Sequence, residues 1–254
     1  MQARDNKSGK ESFLVSAQGL RKAFGKNIVL DGLGFGAKKG ESWIILGPSG
    51  EGKTVLFRCL LGFEDLDQGA VVVMGADISQ ESPKERQERF SKIGVVFQES
   101  CLFDYLTVAE NVGFRLYGKD PEANNKVDSV LQMVGLTSAQ GERYPWELSG
   151  GMKRRASIAR AIIHQPDLLF MDEPTSGLDP VSSYHISHLL KQLIQELKTT
   201  AMIITHDLVS TRILADRVAF LKEGRVFWEG GNAELFQTQC PEVRNFVEKA
   251  TLKF

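Results

Sequence analysis

A chain of 254 residues with 42% hydrophobic and 25% charged residues has length and apolar content for one large domain, or a core with a subdomain. Its net charge of −1 supplies no global pull toward nucleic acid or an anionic membrane. The three cysteines, Cys59, Cys101 and Cys240, stand far apart without C-x-x-C spacing, which argues against a disulfide framework or zinc site and for a reducing compartment.

Residues 1–11 are polar and mixed in charge, unlike a secretory signal, and read as a loose tail. No apolar run approaches the roughly 18–20 residues that span a bilayer, so service to a membrane is expected from a peripheral position. Phe13–Gln18 predicts a first strand, Arg21–Lys26 a basic turn carrying Phe24, and Val29–Ala37 a second strand. Short strands ahead of an α/β pattern predict an antiparallel sheet laid beside the main core. Phe24 is either a core ring at a strand end or an exposed platform on which a nucleobase stacks.

The apolar run Ser42–Leu46 predicts a buried strand that feeds into Gly47-Pro48-Ser49-Gly50-Glu51-Gly52-Lys53-Thr54. This octet fits G-x-x-x-x-G-K-[ST], the Walker A or P-loop pattern, and Thr54–Leu61 predicts the following helix, stopped at Gly62. Glycines let successive N–H groups curl around phosphate oxygens, and the helix adds the positive end of its dipole. Lys53 is a point charge with reach to β- and γ-phosphates, and the Thr54 hydroxyl is a Mg²⁺ ligand by chemistry.

Gly69–Gly75 predicts a strand, Ser82–Phe90 a short charged helix, and Ile93–Phe97 a strand ending at Gln98. From Glu99 to Gln140 the alternation of strand and helix lapses and mostly helix is expected, with starts at Thr107 and Asp120-Pro121 and stops at Gly118 and Gly135. This predicts an inserted helical subdomain. Cys101-Leu102-Phe103 within it is either local core or the lip of a docking groove.

Leu148-Ser149-Gly150-Gly151-Met152 precedes a helix expected over Lys153–His164. The Ser149 hydroxyl and the amides of Gly150 and Gly151 make a second anion site at a helix start. Lys153-Arg154-Arg155 is either a solvated first-turn face or, being poorly placed against the helix dipole, a group near phosphate. Asp167–Met171 predicts a central strand delivering Asp172 and Glu173, followed by a tight turn at Ser176–Pro180 and an amphipathic helix at Val181–Lys198. His185 and His188 on that helix lack a third metal ligand and read as a solvated face. Ala201–Thr205 predicts another buried strand, ending at His206; a hairpin flanks Lys222-Glu223-Gly224, and a closing helix covers Glu242–Lys249.

In this order the motifs resemble the nucleotide-binding subunit of ABC transporters, from about Phe13 to about Gly230. The resemblance implies a P-loop NTPase (RecA-like) α/β core with an antiparallel β subdomain and an inserted α-helical subdomain. The core is expected over 12–98 and 165–230, the helical part over about 99–164, and a tail over 231–254. The implied ligands are ATP and Mg²⁺. ATP is expected on Phe24, on each residue of Gly47–Thr54, and on Ser149, Gly150, Gly151 and the D-loop residue Asp179. Thr54, Gln98 and Asp172 are the expected metal residues. Glu173 is the expected base for the attacking water, with His206 reaching the γ-phosphate and the Q-loop residue Gln98 touching metal and water. The second anion site implies a head-to-tail homodimer enclosing two ATP. Gln98, at the start of the insert, is then a hinge reporting nucleotide state to a partner.

The family usually has Gln where this chain has Met152. The Leu-Ser-Gly-Gly-Met wording, Phe97–Phe103 and Pro241–Phe246 resemble subunits of MCE-type lipid transport such as the Mla phospholipid system. That branch implies an integral-membrane permease (MlaE-like) docked in the cleft near Gln98 and the helical subdomain, a lipid-binding MCE-domain protein, and a peripheral place on the cytoplasmic face of the inner membrane, with no nucleic acid. Alternatives are an importer or exporter ATPase for another cargo such as amino acids, a soluble DNA-repair or translation ATPase, and an inactive scaffold. The long coiled-coil insert or second core of the soluble kinds is missing from the sequence, and the complete motif set opposes the scaffold.

Overall fold

The computed structural model describes residues 13–251; the tail expected at 1–11 lies outside them. An antiparallel sheet is built from β1 (Phe13–Phe24), β2 (Asn27–Lys38), β4 (Gln68–Val73) and β5 (Ala76–Asp77), in the order β2-β1-β4-β5. A second sheet of six strands holds β3 (Ser42–Leu46), β6 (Ile93–Val96), β7 (Leu168–Asp172), β8 (Thr200–Thr205), β9 (Arg217–Lys222) and β10 (Arg225–Gly231), ordered β10-β9-β3-β8-β7-β6. All its pairs are parallel except the β9–β10 hairpin.

Strands β3, β7 and β8 are buried along their whole length, as expected of parallel strands covered on both faces. Side chains alternate across a strand, and here the two faces enter two different apolar clusters. Trp43, Ile45, Phe170, Met202 and Ile204 join the antiparallel sheet and α1 (Lys53–Leu61). Ile44, Leu46, Leu169, Met171 and Ile203 face the other way, into helices. Those helices are α3 (Val108–Gly113), α4 (Ala123–Met133), α6 (Gly150–Ile162), α7 (Pro180–Leu197) and α8 (Leu208–Leu214). Two short helices, α2 (Pro83–Ser91) and α5 (Ser138–Gly141), are closed by capping boxes from Ser82 and Thr137. The chain ends in α9 (Asn232–Gln237) and α10 (Pro241–Thr251), the latter anchored by buried Val243 and by Phe246, whose ring lies 5.2 Å from that of Phe220. No helix among the described residues is long and apolar enough to cross a membrane.

Several sequence expectations are corrected. The basic turn at Arg21–Lys26 is mostly strand: β1 continues to Phe24 because register shifts around Leu20 let it keep pairing with β2. Lys22 lies inward there, 2.6 Å from the Glu64 carboxylate. The stretch 99–140 is less helical than its composition suggests, with loop from 99 to 107 and α3 ending at Gly113, ahead of Gly118. Helix α6 starts at Gly150, three residues early, since Ser149 caps it by accepting from the Met152 N–H at 3.3 Å. Helix α8 was unmarked by apolar periodicity; its start signal is Asp207, which accepts from the N–H groups of Val209 and Ser210.

The loop before α3 is organised by one buried amide. The Asn111 side chain accepts from the Phe103 N–H at 2.7 Å and donates to the carbonyls of Phe103, Leu106 and Thr107. Asn111→Leu leaves the Phe103 N–H and the Leu106 carbonyl without their partner, while the Phe103 and Thr107 carbonyls keep the backbone N–H groups of Leu106 and Asn111, so it is expected to cost about 1–3 kcal/mol, read as a lowered urea midpoint at unchanged m-value.

Candidate nucleotide site

The glycine loop lies between β3 and α1, and its geometry explains its composition. Gly50 and Gly52 both have φ of 89°, which glycine adopts without strain. A Cβ on Gly47 would sit 2.5 Å from the Leu221 carbonyl oxygen, and one on Gly52 2.9 Å from that of Val29. The loop is therefore wedged between β9 and β2. Glu51 tightens the first wall by accepting from the Glu223 N–H at 2.5 Å. The contact at Val29 brings the β1–β2 hairpin alongside. Phe24, at its tip, is 48% exposed, with the Lys22 ammonium 5.1 Å from the ring centroid.

Helix α1 carries no acidic residue in its first turn, leaving its positive end uncompensated. The Lys53 ammonium donates to the carbonyls of Gly47 at 2.9 Å and Pro48 at 2.7 Å, and burial lowers its pKa. Thr54 is exposed in the same turn.

The two carboxylates at the end of β7 differ in environment. Glu173 is held on every side. Its N–H bonds the Ile204 carbonyl at 2.8 Å, and its φ of 47° is an uncommon conformation for a residue with a side chain. One carboxylate oxygen lies 2.7 Å from His206 Nδ1, and the other accepts from the Thr205 hydroxyl at 3.0 Å. The hydrogen bond to Glu173 raises the pKa of His206. Asp172 instead has a buried oxygen, Oδ1, without a partner. Burial, and secondarily the like charge of Glu173, push its carboxyl up to about 6.

An unpartnered buried carboxylate beside a second one is the donor chemistry a hard dication requires. The residues thus fit Mg²⁺, with Asp172, Thr54 and Gln98 as its candidate holders. Because the folded pKa of Asp172 exceeds its unfolded value of 3.8, the ionised form opposes folding, and stability falls as pH rises through this window. Asp172→Asn is therefore expected to raise the metal-free melting temperature at pH 7.5 by roughly 2–6 °C. The gap should shrink at about pH 5, where the wild-type carboxyl is itself protonated, and Mg²⁺ with nucleotide should stabilise wild type alone. Differential scanning fluorimetry reads both signs.

A cleft of about 580 Å³ gathers Pro48, Ser49, Glu173, Ser176 and His206, with Lys249 of α10 on its wall. Asp179 caps α7 beside it, accepting from the Ser182 N–H at 2.9 Å. Ser149, Gly150 and Gly151 do not line this cleft. Ser149 and Gly150 are exposed, and Gly150 borders a separate groove of about 400 Å³ with Gln98, Pro145, Ser176 and Leu178. One copy thus gathers the glycine loop, Glu173 and His206 around one cleft, and the serine-glycine tip borders the adjoining groove across Ser176 and Leu178.

Leu102 packs against the core and also borders the groove at Gln98, while Phe103 lies at the surface outside that groove, its ring 5.8 Å from Tyr105 and 5.2 Å from Phe114. The basic run is neither a solvated face nor a phosphate contact at its middle member. Once α6 begins at Gly150, Arg154 falls on the inward stripe with Ile158 and Ala161. Its guanidinium donates to the carbonyls of Phe97, Gln98 and Ser176. Thr205 is a further site residue, and its sequence signal is its place at the strand end before His206.

Residues 30–176 match the family model described as "ABC transporter". The chain is 38% identical over 225 residues to the linearmycin resistance ATP-binding protein LnrL of Bacillus subtilis, covering 87% of this chain and 70% of that one. It is 38% identical over 233 residues to the methionine import ATP-binding protein MetN of Rhizobium johnstonii, covering 91% and 64%. It thus spans about two thirds of the length of these relatives. Among solved structures, the dimeric post-hydrolysis state of the ATP-binding cassette MJ0796 bound to ADP and Pi superposes with a TM-score of 0.77 at 30% identity, covering 86% of this chain and 98% of that one.

Proposed function

This chain belongs to the ABC transporter family as an ATPase subunit, and from that premise we propose that two copies close head-to-tail over two ATP to drive a membrane permease, with phospholipid as cargo. The observation that carries the dimeric site is that Ser149, Gly150 and Gly151 lie outside the lining of the cleft that gathers the glycine loop, Glu173 and His206. In this reading Gly47–Thr54 cradles the phosphates, Phe24 stacks on adenine, and Ser149, Gly150 and Gly151 cap the γ-phosphate bound by the opposite copy, next to Asp179. Thr54, Gln98 and Asp172 would hold Mg²⁺, which would supply positive charge against the phosphates. Glu173 takes a proton from water as its oxygen bonds to the γ-phosphorus and the bridging oxygen leaves with ADP. His206 and Thr205 aim the Glu173 carboxylate.

Residues 99–164 act as the helical subdomain, and the groove at Gln98 receives the permease at the cytoplasmic face of the inner membrane. Three features support the lipid reading over the solute cargoes named for the relatives: Met152 in the signature, the Phe97–Phe103 stretch and the Pro241–Phe246 tail. Met152 keeps the cap intact, since it contributes its backbone N–H to Ser149 and the hydroxyl proton of Ser149 stays available. The experiment is to purify the chain with its membrane complex and identify what accompanies it. An MCE-domain protein and bound phospholipid are expected; a solute-binding protein carrying an amino acid would replace the lipid reading with that cargo.

A further inference from the structure

Arg154 is a buried cation for which no carboxylate among the described residues supplies a partner. It is 4% exposed, its Nε is buried without an acceptor, and burial lowers its pKa. A charge placed this way costs several kcal/mol unless its surroundings use it. Its surroundings are three backbone carbonyls from two loops. Nη1 donates to Phe97 at 2.5 Å, and Nη2 donates to Gln98 and, at 3.4 Å, to Ser176. Farther along α6, Arg160 donates to the carbonyls of Cys101 at 2.6 Å and Ser100 at 3.1 Å. The backbone after β6 is thus fastened to α6 by two guanidiniums, yet Arg154 alone also reaches the turn after Glu173. Its own helix carries Ser149 and Gly150 at the tip.

We propose that Arg154 is the positioning residue that locks the Gln98 loop, the Ser176 turn and the serine-glycine helix into one moving unit. A planar fork can hold two loops at once, whereas a point charge on a flexible stem cannot fix their mutual geometry. Filling the groove at Gln98 then displaces a carbonyl whose donor also grips Ser176, beside Glu173, so partner docking is felt at the hydrolytic centre without a change in the glycine loop. This rests on the roles proposed for Gln98 and the dimeric site.

The test is hydrogen exchange by mass spectrometry on the full chain, with ATPase kinetics, for Arg154→Met and Arg154→Lys; Arg155→Met, which removes a half-buried contact to the Val134 carbonyl, is the control. In both Arg154 variants, peptides covering 97–104 and 175–179 are expected to exchange faster together by roughly 5-fold or more, while 47–54 is unchanged. The kcat should fall about 10-fold or more with the KM for ATP within about 2-fold, and the control should show neither effect. Wild-type protection in either loop, or loosened loops with an unchanged kcat, overturns the proposal. If the methionine variant does not fold, the lysine variant decides, since it retains the stem and charge and loses the fork. Exchange is read on resting protein, so it judges the lock even where Gln98→Ala shows that Gln98 has no part in turnover, the result that would count against the underlying reading.

Discussion

Glu173→Gln is expected to lower ATP turnover by about 10²–10⁴-fold while leaving ATP binding intact. The amide keeps the shape of the carboxylate and one acceptor for the Thr205 hydroxyl, but it cannot take a proton from water. With hydrolysis stopped and the nucleotide still bridging two copies, the closed pair should accumulate, visible in size-exclusion chromatography as an ATP-dependent shift from one copy to two. Losing the carboxylate also removes the partner that raises the pKa of His206, so its NMR titration midpoint should move down. A Glu173→Gln variant with wild-type turnover would remove Glu173 from the role of base.

Lys53→Ala is expected to cost roughly 10²–10³-fold in ATP affinity, read by titration calorimetry, with little change in melting temperature. The lysine is held at its stem by burial, and among the described residues its ammonium donates to the loop carbonyls of Gly47 and Pro48. Burial disfavours its charged form, so the free protein gains little stability from it. A triphosphate offers much stronger acceptors for the same charge-assisted bonds. If binding fell only in proportion to a collapse in melting temperature, the lysine would be a fold residue rather than a phosphate ligand.

Much of this was readable along the chain because the signals were local. Ser42–Leu46 is continuous apolar sequence ending in glycines, and it is β3 with the same limits. Gly62 stops α1 with φ of 73°, and Thr107 starts α3 with a capping box. What stayed hidden depends on distant partners. The start of α6 turns on a serine whose capping role competes with two helix-poor glycines, and the inward place of Arg154 follows only from a helix that begins at Gly150. The extension of β1 through Arg21–Phe24 depends on pairing with β2 and on Glu64, and no pattern within those residues reports it. Asp172 and Glu173 are neighbours in sequence, yet their different fates are set by His206 and Thr205, more than 30 positions away.

The alternation along β3 and β7 divides adjacent residues between two neighbourhoods: Ile44 and Met171 serve the helices, Ile45 and Phe170 the side that grips the loop. The first neighbourhood holds the helices capped by Ser149 and Asp179, the second the helix that begins at Lys53, so one β-strand braces the starts of both sets of helices and each alternate residue along it loads only one of them.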